Sequence, residues 1–320
     1  MIRVRFPARP RPPSVNMDYL RPFLTEFEHI ENVQCVGPGE EADLSFLIPG
    51  NCKISVLLDQ SDVHSNLPID ICDKLLNQKM VDHVLRKGIP IEKLTPSKVW
   101  PTRPDKVAMV DDYGIWAPSF FNKPMREFSQ RLKRAKVHVV PISIPESFFY
   151  YSKEKTLDVY FAGAIVFWYP YREDFLNIVR QLSDVKSLLN GYTNRQMYKA
   201  CVTQEMFDKQ LMDYADNLRR AKITFADGGI FNYPLRKHFE AMGCGCLLMC
   251  PMPEYGKELG FIDGETFVEA DPSNFKEKLR YYLANDRERI RITDNAYSLF
   301  RDRYTCKASA LSILREFCSA

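Results

Sequence analysis

The chain has 320 residues, 45% of them hydrophobic and 27% charged, with a formal net charge of +3. At roughly 150 residues per domain this length predicts two domains. The small net charge argues against a dedicated nucleic-acid-binding protein and leaves anionic ligands open. No run of about 18 apolar residues occurs, and Pro and Arg interrupt the basic N-terminus where the apolar part of a signal peptide would follow. Nine cysteines form an odd set without a repeating framework, which fits reduced thiols and a cytoplasmic location.

In the first half, short β-rich runs bounded by Gly, Pro or acidic residues predict strands at Ile2–Phe6, Val33–Val36, Leu44–Ile48, Ile54–Leu58, Val107–Val110 and Val137–Ile142. Met125, Phe128 and Leu132 share one helical face, as expected of an amphipathic helix laid on a sheet. Pro141, Pro145 and the aromatic cluster at 148–151 break the pattern. The domain boundary is therefore expected near residues 146–156, giving an N-terminal domain of 1–150 and a C-terminal domain of 151–320.

The second half restarts with a strand, Leu157–Ala162, a turn at Gly163, and a helix from about Tyr171 to Leu182. A helix at Gln204–Arg220 leads into a strand at Ile223–Ala226, then a loop, a helix at Leu235–Met242 and a strand at Cys246–Cys250. Asp271-Pro272-Ser273 introduces a further helix with Ser273 as expected N-cap, and two more helices close the chain. Strand–helix alternation in both halves predicts an α/β protein of two Rossmann-like domains with mainly parallel sheets.

Chemistry concentrates in the segment AKITFADGGIFNYPLRKHFEAMGCGCLLMCP. A strand delivers the chain to the loop Asp227-Gly228-Gly229-Ile230-Phe231-Asn232-Tyr233, whose paired glycines let backbone amides approach a ligand. Pro234 suits the first turn of a helix. Arg236 and Lys237 lie at the positive end of that helix, where cations oppose the dipole unless an anion sits beside them. Glycine loop, helix N-terminus and Arg/Lys together describe a diphosphate site. Glu240, four residues after Arg236, shares its helix face and is placed to accept hydrogen bonds from ribose hydroxyls. The competing reading is a simple Arg236–Glu240 pair with glycines as turn punctuation.

Other motifs are weaker. Asp59, Asp62 and His64 follow a strand at the carboxyl edge where open α/β sheets place ligands, and His64 is the preferred candidate base there; solvated loop residues are the plainer reading. Asp111-Asp112 is a lone acidic pair. Cys244, Cys246 and Cys250 lack the second ligand pair that zinc requires, so no metal site is expected. Gly243-x-Gly245 follows a helix and precedes a strand, the reverse of a dinucleotide fingerprint. No G-x-S-x-G nucleophile motif occurs.

The segment above, followed in order by YGKELGFIDGETFVEADPSNFKEKLRYYLANDRERI and NAYSLFRDRYT, resembles the C-terminal domain of GT-B glycosyltransferases, closest to the group 1, CgeB-like members. The resemblance covers roughly residues 157–316. It implies a nucleotide-sugar-binding C-terminal domain facing an acceptor-binding N-terminal domain across a cleft, in an enzyme that transfers a hexose-type sugar from a UDP or GDP donor without a metal or other cofactor. Glu240 matches the family's ribose-holding glutamate, and Arg236 falls where a basic residue faces the diphosphate. Gly228, Gly229 and Tyr233 fall in the donor loop, while Gly163 and Arg172 lie near the first strand–helix loop. Asn232 occupies the position where many retaining relatives carry a second glutamate, so the chain departs from the pattern at a catalytic position. The expected partners are the donor and a glycan, lipid-linked or protein acceptor. A non-catalytic nucleotide-sugar-binding relative and a DNA-base glucosyltransferase are the competing readings.

Overall fold

The structure is a computed structural model that describes residues 1–5, 20–37, 40–46, 52–59, 107–111, 143–165, 169–192, 204–229, 234–253 and 256–318. The expected strand Val137–Ile142, the helix bearing Met125, Phe128 and Leu132, and the residues Asp62, His64, Asn232 and Tyr233 lie outside them. The chain divides into two compact units, Met1–Ser143 with Cys306–Ala320, and Ile144–Thr305.

The first unit holds a five-stranded sheet in the order β2-β1-β3-β4-β5, built from β1 (Ile2–Arg5), β2 (Val33–Val36), β3 (Ala42–Phe46), β4 (Cys52–Asp59) and β5 (Val107–Asp111). All neighbouring pairs run parallel. Helix α1 (Leu20–Glu26) continues into a short 3-10 turn, and its Phe23 meets Phe27 edge-on with ring centroids 5.5 Å apart. The chain's last helix (Cys306–Cys318) packs on α1. That helix follows the second unit in sequence and yet counts with the first, because its buried Ala310, Ile313 and Leu314 complete this core.

The second unit carries a parallel five-stranded sheet in the order β10-β9-β8-β6-β7. Its strands are β6 (Leu157–Ala164), β7 (Ser187–Tyr192), β8 (Ala221–Phe225), β9 (Leu247–Cys250) and β10 (Val268–Glu269). Helices α2 (Arg172–Arg180), α3 (Gln204–Arg220) and α4 (Arg236–Gly243) connect them; α5 (Phe275–Ala284) and α6 (Asp286–Arg303) follow, leaving the terminal helix as α7. Every residue of β9 is buried, as expected of a strand covered on both faces. Phe161 and Phe225 stack with centroids 4.7 Å apart, and Phe175 and Phe275 meet at 4.6 Å. Truncating one of these rings to Ala costs about 3–5 kcal/mol.

From β6 the chain winds out to β7, then returns to the other side of β6 to form β8. The winding reverses between β6 and β8, and such a reversal opens a crevice at the strands' carboxyl ends where ligands of doubly wound sheets bind. Two local expectations are corrected. Gly163 belongs to β6, paired across to Gly191, and makes no turn. Helix α5 begins at Phe275 with Asn274 as N-cap. Ser273 is drawn away because the Asp271 carboxylate accepts both its amide (2.8 Å) and its hydroxyl (2.5 Å), closing an Asx-type turn ahead of the helix.

Candidate functional site

The crevice between β6 and β8 is walled by the ends of those strands and by the start of α4. Helix α4 begins after Pro234, with Leu235 as N-cap in extended conformation. Three residues on, His238 Nδ1 accepts the Leu235 amide at 2.9 Å. This side chain satisfies one of the amides that a helix start leaves unpaired. Burial pushes the His238 imidazole down to about 3, and the neighbouring Arg172 and Lys237 charges add to that, while its contact with the Leu235 backbone works against it. The ring is therefore neutral, as an Nδ1 acceptor requires. At its other end α4 closes in a Schellman arrangement, with Cys246 N–H on Ala241 O (3.0 Å) and Gly245 N–H on Met242 O (3.2 Å). Gly245 has φ 60°, and a Cβ there would lie 2.6 Å from the Tyr151 ring, so only glycine fits. Lys155 Nζ donates to Arg219 O (2.8 Å) and Cys244 O (3.0 Å), joining the C-terminal ends of α3 and α4.

At the crevice, Arg172 Nε stands 3.2 Å from Asp227 Oδ1, with the two side chains 3% and 2% exposed. Arg172 Nη1 donates to Ala164 O at 2.9 Å, and the guanidinium lies over the Tyr169 ring. Asp227 also accepts the Tyr171 amide at 2.9 Å. One ion pair thus ties the segment after β6 to the segment after β8. Burial pushes the Asp227 carboxyl up, and Arg172 pulls it back down.

Lys237, in the first turn of α4, reaches back to β6: its ammonium donates to Ala162 O and lies 4.6 Å from the centroid of the Tyr214 ring. Gly163 makes room for it. A Cβ at that position would sit 3.1 Å from Lys237 Cε and 3.3 Å from Arg172 Nη1. Burial lowers the Lys237 ammonium to about 8, helped by Arg172 and Arg236 and opposed by Glu240. One turn along α4, Glu240 is 4% exposed and accepts a 2.5 Å hydrogen bond from the Tyr214 hydroxyl of α3. Gly228 and Gly229 follow Asp227, and Gly229 at φ 67° takes the left-handed conformation that its lack of a Cβ permits.

The structure therefore brings together Gly163, Arg172, Gly228, Gly229, Arg236, Lys237 and Glu240 of the expected donor-site residues. Arg172 differs from expectation in its surroundings, being committed to Asp227 and Ala164. Asp59 ends β4 and pairs in register with Asp111, the last residue of β5. Three participants escaped the sequence reading: Asp227, Tyr214 and His238. Asp227 had a signal, a carboxylate directly after a strand and before two glycines; the other two had none beyond helical phase. Cys244, Cys246 and Cys250 are buried free thiols. Among the described residues no group of three His, Cys, Asp or Glu is placed to hold a metal ion, and no helix is long and apolar enough to cross a membrane.

Residues 172–315 match the family model described as Glycosyl transferase-like. The chain has the GT-B fold, and its C-terminal part is glycosyl transferase-like. HepE from Anabaena, solved with UDP and glucose, superposes with a TM-score of 0.56 at 10% identity over 100% of both chains. AviGT4, a glycosyltransferase involved in avilamycin A biosynthesis, gives 0.50 at 12% identity over 100% of this chain and 99% of its own. A glycosyltransferase from Rickettsia africae gives 0.50 at 11% identity, over 99% and 98%. No curated protein sequence matches the chain.

Proposed function

We propose that this chain transfers a sugar from a nucleoside-diphosphate sugar, of UDP type, to an acceptor hydroxyl, and that it does so without a metal ion. The observation that supports this best is the meeting, at one sheet reversal, of a glycine loop, a helix start bearing Arg236 and Lys237, and the buried Glu240 one turn further on. The bound UDP of HepE agrees in ligand class.

Glu240 accepts hydrogen bonds from the ribose. The amides of Gly228 and Gly229, the start of α4, Arg236 and Lys237 take the diphosphate. As the glycosidic bond breaks, negative charge grows on the leaving phosphate oxygen, and fixed cations and amides there stabilise the transition state more than the ground state. The positive charge comes from side chains, so the reaction proceeds in the presence of a chelator. By the sequence resemblance, Tyr233 is assigned to donor binding and Asn232 to the position where many retaining relatives carry a second glutamate. In the first unit, His64 is the candidate base for the acceptor hydroxyl of a glycan, lipid-linked sugar or protein, with Asp59 the alternative.

The test is turnover of a panel of UDP- and GDP-sugars with EDTA present, alongside nucleotide binding. Release of UDP from a UDP-sugar, lost in Glu240→Ala, supports the reading. UDP binding without turnover of any sugar, which the Asn232 position makes a pointed result, assigns the chain to nucleotide-sugar binding instead.

A further inference from the structure

Glu240 does not stand alone. The Tyr214 hydroxyl donates to its Oε2 at 2.5 Å, and the Tyr214 ring carries the Lys237 ammonium 4.6 Å from its centroid. The ring is held on other sides by Phe149 and Tyr160, each with centroids 5.9 Å away. Tyr214 sits on the stripe of α3 that buries Leu211, Ala215 and Leu218, so its position is fixed by packing of the helix on the sheet. Its phenol is therefore a rigid donor aimed at one oxygen of a nearly buried carboxylate.

We propose that Tyr214 is a positioning residue for the nucleotide ribose: it orients the Glu240 carboxylate and, through its ring, seats Lys237, making the site selective for ribonucleotides over deoxyribonucleotides. This rests on the donor-site reading of Glu240 given above. A carboxylate on a side chain with three rotatable bonds loses entropy when it engages a ribose; a phenol that fixes it beforehand removes part of that cost. A buried acceptor that bonds a ligand hydroxyl also disfavours the analogue lacking that hydroxyl, because the lost bond is not replaced. Rotational freedom at Glu240 weakens that penalty, so loss of the phenolic oxygen relaxes the selectivity.

The experiment is calorimetric titration of UDP, 2′-deoxy-UDP and inorganic pyrophosphate into the wild type, Tyr214→Phe, Glu240→Ala and the double variant. Tyr214→Phe keeps the ring under Lys237 and removes only the hydroxyl. It is expected to weaken UDP roughly tenfold, the weight of one hydrogen bond to a charged group. Pyrophosphate affinity is expected to stay unchanged, which also reports that the variant is folded, and the UDP preference over deoxy-UDP is expected to shrink. In the Glu240→Ala background Tyr214→Phe adds nothing, since it acts through the missing carboxylate. Unchanged UDP affinity and unchanged ribose preference in Tyr214→Phe, with a wild type that binds UDP, overturns the role of Tyr214 alone. A wild type that binds neither UDP nor pyrophosphate overturns the donor-site reading and this inference with it.

Discussion

Arg172 and Asp227, 55 positions apart in the chain, form an ion pair at 3.2 Å with side chains 3% and 2% exposed. The pair holds the entry to α2 against the exit from β8, since Asp227 also accepts the Tyr171 amide. Removing one partner of a buried pair leaves the other charge uncompensated, at a cost of about 3–5 kcal/mol, whereas neutralising both costs far less. Asp227→Asn, which keeps an acceptor for Tyr171, is expected to lower unfolding free energy by about 3 kcal/mol. Arg172→Gln combined with Asp227→Asn should recover a large part of it. Urea unfolding of the wild type and the two variants measures this; equal losses in the single and double variants contradict the pairing.

Lys237 carries a pH dependence. Its ammonium is lowered to about 8, chiefly by burial, so it is charged at neutral pH and loses its proton as pH rises through that value. Pyrophosphate affinity is expected to fall several-fold between about pH 7 and 9.5 in the wild type, and to be weaker and flatter in Lys237→Met. Stability of the free protein moves in the opposite direction. Between about 8 and the ordinary lysine value the unfolded chain holds the proton and the folded chain does not, so stability rises with pH across that window. The burial cost is fully present below it.

His238 titrates at the opposite end. Burial holds the folded imidazole near 3 against about 6.5 unfolded. The unfolded chain therefore gains a proton that the folded chain refuses, and stability falls as pH drops from about 6.5 toward 3. The difference between the wild type and His238→Asn, which retains an acceptor for the Leu235 amide, isolates this group. Urea midpoints across that range should converge as pH falls, and parallel curves would rule it out.

Gly163 matters for space. The groups that an added Cβ would meet, Lys237 Cε at 3.1 Å and Arg172 Nη1 at 3.3 Å, are the far ends of flexible side chains. Gly163 also holds φ 158°, a backbone conformation that L side chains rarely adopt, so Gly163→Ala is expected to cost about 1–3 kcal/mol of stability while displacing Lys237 and weakening pyrophosphate and UDP together. Loss of folding without loss of ligand affinity in the folded fraction would contradict this placement.

Much of the second unit was legible because its signals are local. Helix α3 was expected at its observed bounds, and its buried Leu211, Ala215 and Leu218 share one helical face over about two turns. Strand β9 showed as a short apolar run. Strand β7 was missed: it lies at the sheet edge with mostly half-buried or exposed residues, and its Asn190-Gly191 looks like a turn. Gly163 was misread for the same reason, because a glycine that clears space for Lys237 looks like one that bends the chain. At the site, Glu240 and Arg236 were found by motif. Tyr214 was not, because its partner lies 26 positions away and the contact exists only once α3 and α4 pack on the same sheet.

We have proposed that the β6–β8 crevice binds a nucleoside diphosphate through Glu240 and the start of α4. Calorimetric titration of UDP into the wild type and Glu240→Ala tests it most directly. Saturable 1:1 binding to the wild type is expected, weakened at least tenfold in Glu240→Ala because a charged hydrogen-bond acceptor is removed, with pyrophosphate affinity retained. Equal UDP affinity in the two proteins would contradict it.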